Sequence, residues 1–295
     1  MKPYSIITDA TADLSPEVAL ANEIIVLPMT VTFKGSEEVY STEDEEFMRS
    51  DFYQKLRNGE VAVTSQINMF QFISFFTKIL EHGTDILYIA FSSGMSGSYL
   101  AAIKARDELA PHWPERKIVI VDSLAASSGE GLLAVSVAKL KKAGKTIEEA
   151  SEWAEENKHH LNAWVTVDDL MFLKRSGRIT TTEAFLGSVL GVKPIIHVNP
   201  EGRLVPVKKV RGRKQALKAL LDSMEGYAPG YKDQTIYISH GDCLKETQAL
   251  ADMIREKYEP VSVELFSIGP VVGSHSGPGT IALFFYANHK SIQGV

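Results

Sequence analysis

The sequence predicts an α/β protein with two domains, the first of which is built on a parallel sheet. Apolar runs at 85–90 and 117–122 are each followed by a small polar turn and then by a helix-forming stretch, at 98–109 and 132–143. This order is typical of parallel strands joined by crossover helices. The length of 295 residues exceeds what one hydrophobic core usually serves. We expect an N-terminal domain over 1–160 and a C-terminal domain over 161–295.

The composition indicates an ordinary globular protein: 44% of the residues are hydrophobic and 23% are charged. A net charge of −6 argues against general nucleic-acid binding. The single cysteine, Cys243, excludes an internal disulfide and fits a reducing compartment. We find no signal-peptide pattern at the start and no apolar run close to the ~20 residues that span a bilayer. We therefore expect a cytoplasmic protein.

The remaining elements follow from apolar spacing and from turn residues. In the first half, an acidic run at 43–46 precedes a predicted helix, where it is expected to cap the helix and not to bind a metal. The other first-half predictions are strands at 4–7 and 24–33, the latter interrupted at Pro28, and helices at 47–56, 67–80 and 147–160. The second half is predicted to contain strands at 163–167, 193–198, 204–210, 234–240, 261–267 and 280–287, and helices at 184–192, 211–224 and 243–257. Strands 193–198 and 204–210 are expected to form a hairpin.

The stretch from Phe91 to Tyr99 is the most informative turn, because four serines and two glycines join a buried strand to a helix. Unpaired amides at the helix start and serine hydroxyls together suit an oxygen-rich anion. The hydroxyls of Ser93 and Ser96, with those of Thr64 and Ser65 in an earlier polar turn, are expected to meet at one sheet edge. The alternative is that serine and glycine merely cap the helix.

His275 lies in a second glycine-rich turn, at 269–279, where an imidazole suits a polar role. Ser96 is close to a nucleophile-elbow pattern, so a triad of Ser96, His275 and Asp122 stays open as an alternative. Neither a Walker A loop nor a dinucleotide fingerprint occurs. We expect no metal, because no cluster has metal-ligand spacing.

Seven motifs taken in order resemble the DegV family of bacterial fatty-acid-binding proteins. They are Thr8-Asp-Ala-Thr-Ala-Asp-Leu14, Thr64-Ser-Gln66, Ser92-Ser-Gly-Met-Ser-Gly-Ser-Tyr99, Val121-Asp-Ser123, Leu173-Lys-Arg-Ser-Gly-Arg-Ile179, Lys193-Pro194 and Gly273-Ser-His-Ser-Gly-Pro-Gly279. The resemblance spans essentially the whole chain. Ala10 and Ala12 replace hydroxyl residues usual in the family, and Ile67 stands where proline is common.

The resemblance implies a Rossmann-like α/β/α domain, a C-terminal α/β domain with a mixed sheet, and a fatty acid at their junction. It implies no other cofactor and no chemistry of its own. The ligand would be presented to the ATP-binding subunit of fatty acid kinase, and the acyl phosphate would go on to phospholipid synthesis. The fatty-acid-binding residues it implies are Thr64, Ser65, Ser93, Ser96, Gly97, His275 and Arg178.

A basic set in this acidic chain, Lys208, Lys209, Arg211 and Arg213, is expected to dock the kinase or to contact anionic lipid headgroups. A helix over 181–191 is expected to be a movable cover for the ligand. The rival functions are a serine esterase or thioesterase that uses Ser96 and His275, and a sensor of a small polar anion.

Overall fold

The computed structural model describes residues 2–43, 51–179, 191–225 and 230–287, which form three β-sheets with helices packed against them. The strands are β1 (Tyr4–Asp9), β2 (Ile24–Leu27), β3 (Thr30–Phe33), β4 (Val39–Ser41), β5 (Ala62–Ser65), β6 (Asp85–Ala90), β7 (Ile118–Asp122), β8 (Leu161–Thr166), β9 (Val192–Val198), β10 (Leu204–Arg211), β11 (Thr235–His240), β12 (Ser262–Ser267) and β13 (Ile281–Tyr286). The helices are α1 (Pro16–Ala21), α2 (Phe52–Arg57), α3 (Met69–Glu81), α4 (Ser98–Leu109), α5 (Ser128–Lys142), α6 (Ile147–Asn157), α7 (Met171–Arg175), α8 (Arg213–Asp222), α9 (Leu244–Tyr258) and α10 (Pro270–Ser276).

The first sheet is parallel throughout, with strand order β2-β1-β6-β7. Every residue of β6 is buried, as expected of a central strand covered on both faces. The carboxyl ends of β6 and β7 lead into the two small polar turns that the sequence places there. The predicted parallel sheet is therefore confirmed, and with it the boundaries of β6 and α4.

The second sheet is mixed and has the order β10-β9-β8-β13-β11-β12. Neighbouring strands in this sheet are antiparallel, except for β11 and β12, which are parallel. The predicted hairpin forms from β9 and β10, which places β10 at the sheet edge. The two-domain α/β class, with one parallel and one mixed sheet, is thus confirmed.

A small antiparallel sheet of order β4-β3-β5 was not predicted. The strand expected over 24–33 divides at Pro28, and its two parts enter different sheets, because proline has no amide hydrogen to continue a ladder. Thr64 and Ser65, predicted in a turn, instead end strand β5.

Helix α5 packs on both large sheets, with contacts to β1 and β6 on one side and to β8 and β13 on the other. Most of its first turns are fully buried, including the carboxyl of Glu130. The helix begins at Ser128, four residues before the predicted start. The small residues Gly129 and Gly131 let this first turn pack closely on the mixed sheet, since a Cβ at Gly129 would lie 2.6 Å from the Phe284 ring. One apolar core therefore joins residues of both halves.

The glycine-rich stretch at 269–279, predicted as a turn, contains helix α10. Pro270 occupies the first helical position, which its fixed φ favours, and Gly277 ends the helix with φ +77°. The Tyr53 hydroxyl of α2 donates to the carbonyl of Ile268, which lies just before α10, at 2.8 Å. This bond holds α2 against the start of α10. These contacts fix the backbone that carries His275.

Four predictions lie partly or mostly outside the described ranges. They are the acidic run at 43–46, the first part of the helix predicted at 47–56, the helix predicted at 184–192 and the predicted cover over 181–191. From residue 52 onward the predicted helix is present as α2.

Candidate functional site

Thr64 and His275 meet at the carboxyl edge of the parallel sheet. The Thr64 Oγ1 lies 2.8 Å from the His275 Nε2, and the ring tautomer decides which atom donates. Successive side chains of a strand point to opposite faces, so Thr64 turns inward on β5 while Ser65 is exposed. The structure thus brings together two predicted site residues that lie 211 positions apart, and it places Ser65 outside the pair.

His275 is uncharged at neutral pH. Burial and, to a lesser extent, the nearby positive charge of Arg178 together lower the pKa of its imidazole to about 4. A neutral imidazole can donate one hydrogen bond and accept another without adding a charge to the site. It is therefore suited to bind an anion's oxygen through a hydrogen bond.

The serine turn, residues 91–97, is held by hydrogen bonds to the start of α4 and to residues elsewhere in the protein. The Ser96 hydroxyl donates to the Ser98 Oγ and accepts the Ser98 amide, both at 3.2 Å. The Ser93 amide donates to Asp122 at 3.1 Å, and the Gly97 amide donates to the Gln66 side chain at 3.1 Å. Ser93 and Gly97, expected to bind the ligand, therefore use their amides within the protein.

The serine turn also contacts the hairpin turn, residues 199–203, which joins β9 to β10. The buried Ser92 hydroxyl donates to the Gly202 carbonyl at 2.7 Å and accepts the Gly94 amide at 3.2 Å. A Cβ at Gly94 would lie 2.6 Å from the Glu201 carbonyl oxygen. Glycine permits this close approach of two backbones, which sequence reasoning did not predict.

A cavity of about 190 Å³ opens beside the Thr64–His275 pair. Its polar lining residues are Thr11, Thr64, Gln66, Ser96, Ser127, Arg178, His275, Ser276 and Thr280. Its apolar lining residues are Met29, Phe91, Met95, Ala126, Val165, Leu173, Val198, Leu204, Ile268, Val271, Val272, Ala282 and Phe284. Of the predicted ligand-binding residues, Thr64, Ser96, Arg178 and His275 line it, whereas Ser65, Ser93 and Gly97 do not.

Arg178 is the one charged side chain among these lining residues. Its guanidinium donates to the carbonyl of Ser176, and partial burial lowers its pKa. No carboxylate lines the cavity in the part of the chain that the structure describes. A partly desolvated cation in an apolar cavity favours an anionic ligand, because burying a charge costs free energy unless it is paired.

Buried carboxyl groups lie behind one wall of the cavity. Thr11 donates to Asp9 and Glu130, and Ser127 donates to Asp13. Burial raises the pKa of all three acids, that of Asp13 to about 8, so Asp13 is mostly protonated at neutral pH. The motif that contains Asp9 and Asp13 contributed to the family resemblance, but we predicted no role for either aspartate. Their close spacing was the available signal.

The hydrogen bonds of a serine hydrolase triad are replaced by others. The His275 Nε2 contacts Thr64, the Ser96 hydroxyl bonds to Ser98, and the Asp122 Oδ1 accepts the amides of Ser93 and Leu124. A triad requires the serine to bond to the histidine and the acid to orient that histidine. The described geometry therefore favours binding over nucleophilic catalysis.

The predicted docking residues divide into two groups. Lys208, Lys209 and Arg211 are exposed on the edge strand β10. The Arg213 side chain is only 18% exposed and lies 3.5 Å from Asp168 and 3.9 Å from Glu246. Arg213 therefore has carboxylate partners within the chain, and we remove it from the docking surface.

Within the described ranges, no group of three or more His, Cys, Asp or Glu side chains is arranged to hold a metal ion. Among the described helices, none combines the length and the apolar character needed to cross a bilayer.

Comparison with known proteins identifies the family. The profile described as "Uncharacterised protein, DegV family" matches residues 3–288. The chain belongs to the DegV family. A DegV domain-containing protein of Clostridium perfringens is 42% identical over 290 residues, which cover 98% of this chain and 99% of the relative.

Solved DegV structures share the fold over nearly the whole chain. The structure of DegV, described as a fatty acid binding protein from Bacillus subtilis, has a TM-score of 0.82 and 28% identity, and the match covers 98% of this chain and 100% of that one. A DegV family protein from Thermus thermophilus, whose structure is described in terms of its fatty acid binding, has a TM-score of 0.84 and 28% identity. The match covers 97% of this chain and 99% of that one.

Proposed function

We propose that this protein binds a long-chain fatty acid with its carboxylate at Thr64, His275 and Arg178 and its acyl chain in the apolar part of the cavity. The observation that carries the proposal is the guanidinium of Arg178 beside an uncharged imidazole, in a cavity whose other described lining side chains are neutral. One cation balances one carboxylate. Two DegV relatives are described as binding fatty acid, which supports the same ligand class.

The apolar walls supply the binding free energy. Each buried methylene contributes about 0.8 kcal/mol before the cost of ordering the chain is subtracted. Two neutral side chains, Thr64 and His275, and the cation Arg178 then fix the head of the ligand. A phosphate dianion would be matched less well, since it usually recruits several lysines or arginines.

The test is affinity for palmitate, together with mass spectrometry of lipid extracted from the purified protein. We expect co-purified free fatty acid and no covalent adduct at Ser96 after treatment with a fluorophosphonate. Arg178→Gln should weaken palmitate binding at least tenfold, since a charged hydrogen bond contributes about 1.5–3 kcal/mol. The matched control is Arg175→Gln, whose exposed guanidinium lies 5.0 Å from the Phe172 ring centroid and outside the cavity. Equal affinities of both variants and the parent would contradict the proposal.

We further propose that the bound acid is presented to a fatty acid kinase subunit that holds ATP. A carboxylate oxygen would attack the γ-phosphorus of ATP, the bond to ADP would break, and acyl phosphate and ADP would leave. Ser65 and Gln66 beside the carboxylate position are exposed, which supports access by a partner from this side. The acyl chain stays enclosed during the transfer.

The exposed basic residues Lys208, Lys209 and Arg211 are the proposed docking surface for that partner. Their simultaneous change to glutamate should lower the rate of acyl phosphate formation at limiting kinase and steepen its dependence on kinase concentration. Lys104→Glu is the control, because Lys104 is exposed on α4, which packs against α3 and β7 of the parallel sheet. An unchanged rate for the triple variant, with palmitate binding intact, would reject this surface.

A further inference from the structure

One hydroxyl in the cavity wall has no hydrogen-bond partner. The lining includes six hydroxyl side chains, on Thr11, Thr64, Ser96, Ser127, Ser276 and Thr280. Five of them have partners: Thr64 pairs with His275, Ser96 with Ser98, Thr11 and Ser127 with buried carboxyls, and Thr280 with backbone carbonyls. The Ser276 Oγ has none among the described residues, although Ser276 is only 6% exposed.

An unpaired buried hydroxyl is unusual enough to need an explanation. Ser274, two residues earlier on the same helix and equally buried, satisfies its hydroxyl by donating to the Pro270 carbonyl at 2.6 Å. The Ser274 side chain can therefore use a backbone carbonyl of its own helix as its hydrogen-bond acceptor. Ser276 instead lines the cavity, where none of the described residues pairs with its hydroxyl and a ligand that fills the space can do so.

A simple hydrocarbon chain cannot supply this partner. If a water molecule bonds to Ser276 in the empty cavity, an apolar chain that displaces it leaves the hydroxyl unpaired, and affinity is lost. A ligand with its own oxygen at that point restores the hydrogen bond. Sites with buried polar groups discriminate strongly against analogues that lack the matching group.

We propose that Ser276 is a specificity-determining residue that selects fatty acids carrying a hydroxyl or oxo group on the acyl chain. The inference rests on the proposed fatty-acid function and names its substrate class. Since neighbouring Cα atoms are about 3.8 Å apart, Ser276 stays close to His275, which binds the head of the ligand. The oxygen that it recognises therefore lies in the carboxyl-proximal part of the chain and not near the methyl end.

The experiment compares stearic acid with hydroxystearic acids whose hydroxyl is near the carboxylate, at mid-chain or near the methyl end. The carboxyl-proximal isomer should bind about five- to tenfold more tightly than stearic acid, the gain expected of one net hydrogen bond. The mid-chain and methyl-end isomers should show no gain. Ser276→Ala should remove the preference, and Ser274→Ala should keep it.

A second measurement does not depend on the ligand. Removing an unpaired buried hydroxyl should leave the ligand-free protein as stable as before or more stable, whereas Ser274→Ala should lower its stability. If stearic acid binds but no isomer gains affinity, or the gain survives in Ser276→Ala, the inference is overturned while the proposed function stands. If neither stearic acid nor any isomer binds, the proposed function itself is wrong and the inference falls with it.

Discussion

The contact between the serine turn and the hairpin turn can be tested by adding one methyl group. In Gly202→Ala, the new Cβ would overlap the Ser92 Oγ and lie 3.1 Å from the Leu124 Cα. Ser92 is fully buried, so its hydroxyl cannot rotate into water and must lose its bonds to Gly202 and Gly94. The variant therefore combines backbone strain with an unpaired buried hydroxyl.

The magnitude follows from these two contributions. Gly202 has φ +71°, where a Cβ costs about 1 kcal/mol, and an unsatisfied buried hydroxyl costs about 1–3 kcal/mol more. Gly144→Ala is the control: φ is +83° at the end of α5, but nothing lies within 4 Å of the added Cβ. We expect Gly202→Ala to lose about 1–3 kcal/mol more free energy of unfolding than Gly144→Ala, with any change in the unfolded chain cancelling between the two.

Urea denaturation measures this difference, and the dissociation rate of palmitate adds a functional readout. The cavity is lined by Met95 and Ser96 of the serine turn and by Val198 and Leu204 beside the hairpin turn, so Gly202→Ala should also release palmitate faster than Gly144→Ala does. Equal stability losses in the two variants would refute the steric reasoning. A stability difference without any change in release would confine the contact to a structural role.

Three further predictions concern the cavity and the acids behind it. The folded-state pKa of Asp13 is raised from its ordinary 3.8 to about 8, so the folded protein holds this proton more tightly, and its stability should fall as pH rises through that interval. Between pH 6.5 and 8, denaturation of Asp13→Asn should show a shallower fall than that of the parent, by up to about 1.4 kcal/mol per pH unit, since the contribution of His275 is common to both proteins. Thr64→Val should weaken palmitate binding about five- to tenfold by titration, whereas Thr32→Val on the neighbouring strand should not. Phe284→Ala should enlarge the cavity and shift preference towards bulkier acyl chains in competition assays, while costing about 3–5 kcal/mol of stability; an unchanged preference would exclude Phe284 from the chain-binding wall.

Local patterns predicted the elements that are governed by local chemistry. The bounds of β6 and α4 follow from an apolar run, a glycine-rich turn and strong helix formers. Patterns failed where distant packing decides the structure. His275 lies on a helix despite its glycines, because α2 packs against that segment, and Thr64 belongs to a strand because β3 offers it a partner.

The candidate site was predictable in part for the same reason. Motif order pointed to Thr64, Ser96, Arg178 and His275, which line one cavity. Motif order could not tell Thr64 from Ser65, because the side of the strand that each side chain occupies depends on strand register. Nor could it show that Asp122 and Gln66 accept the amides of Ser93 and Gly97. The orphan hydroxyl of Ser276 depends on its neighbours in space, which no sequence pattern specifies.

Helix α5 has a consequence for how the chain can be divided. Because it packs on both large sheets, a fragment that ends after α6 would leave one side of α5 exposed to water. The complementary fragment would lose the cover over Phe284 and Ala282. We therefore expect split halves to aggregate when expressed separately and to recover binding only when produced together, which makes the linker near residue 160 a natural point for a fragment-complementation reporter.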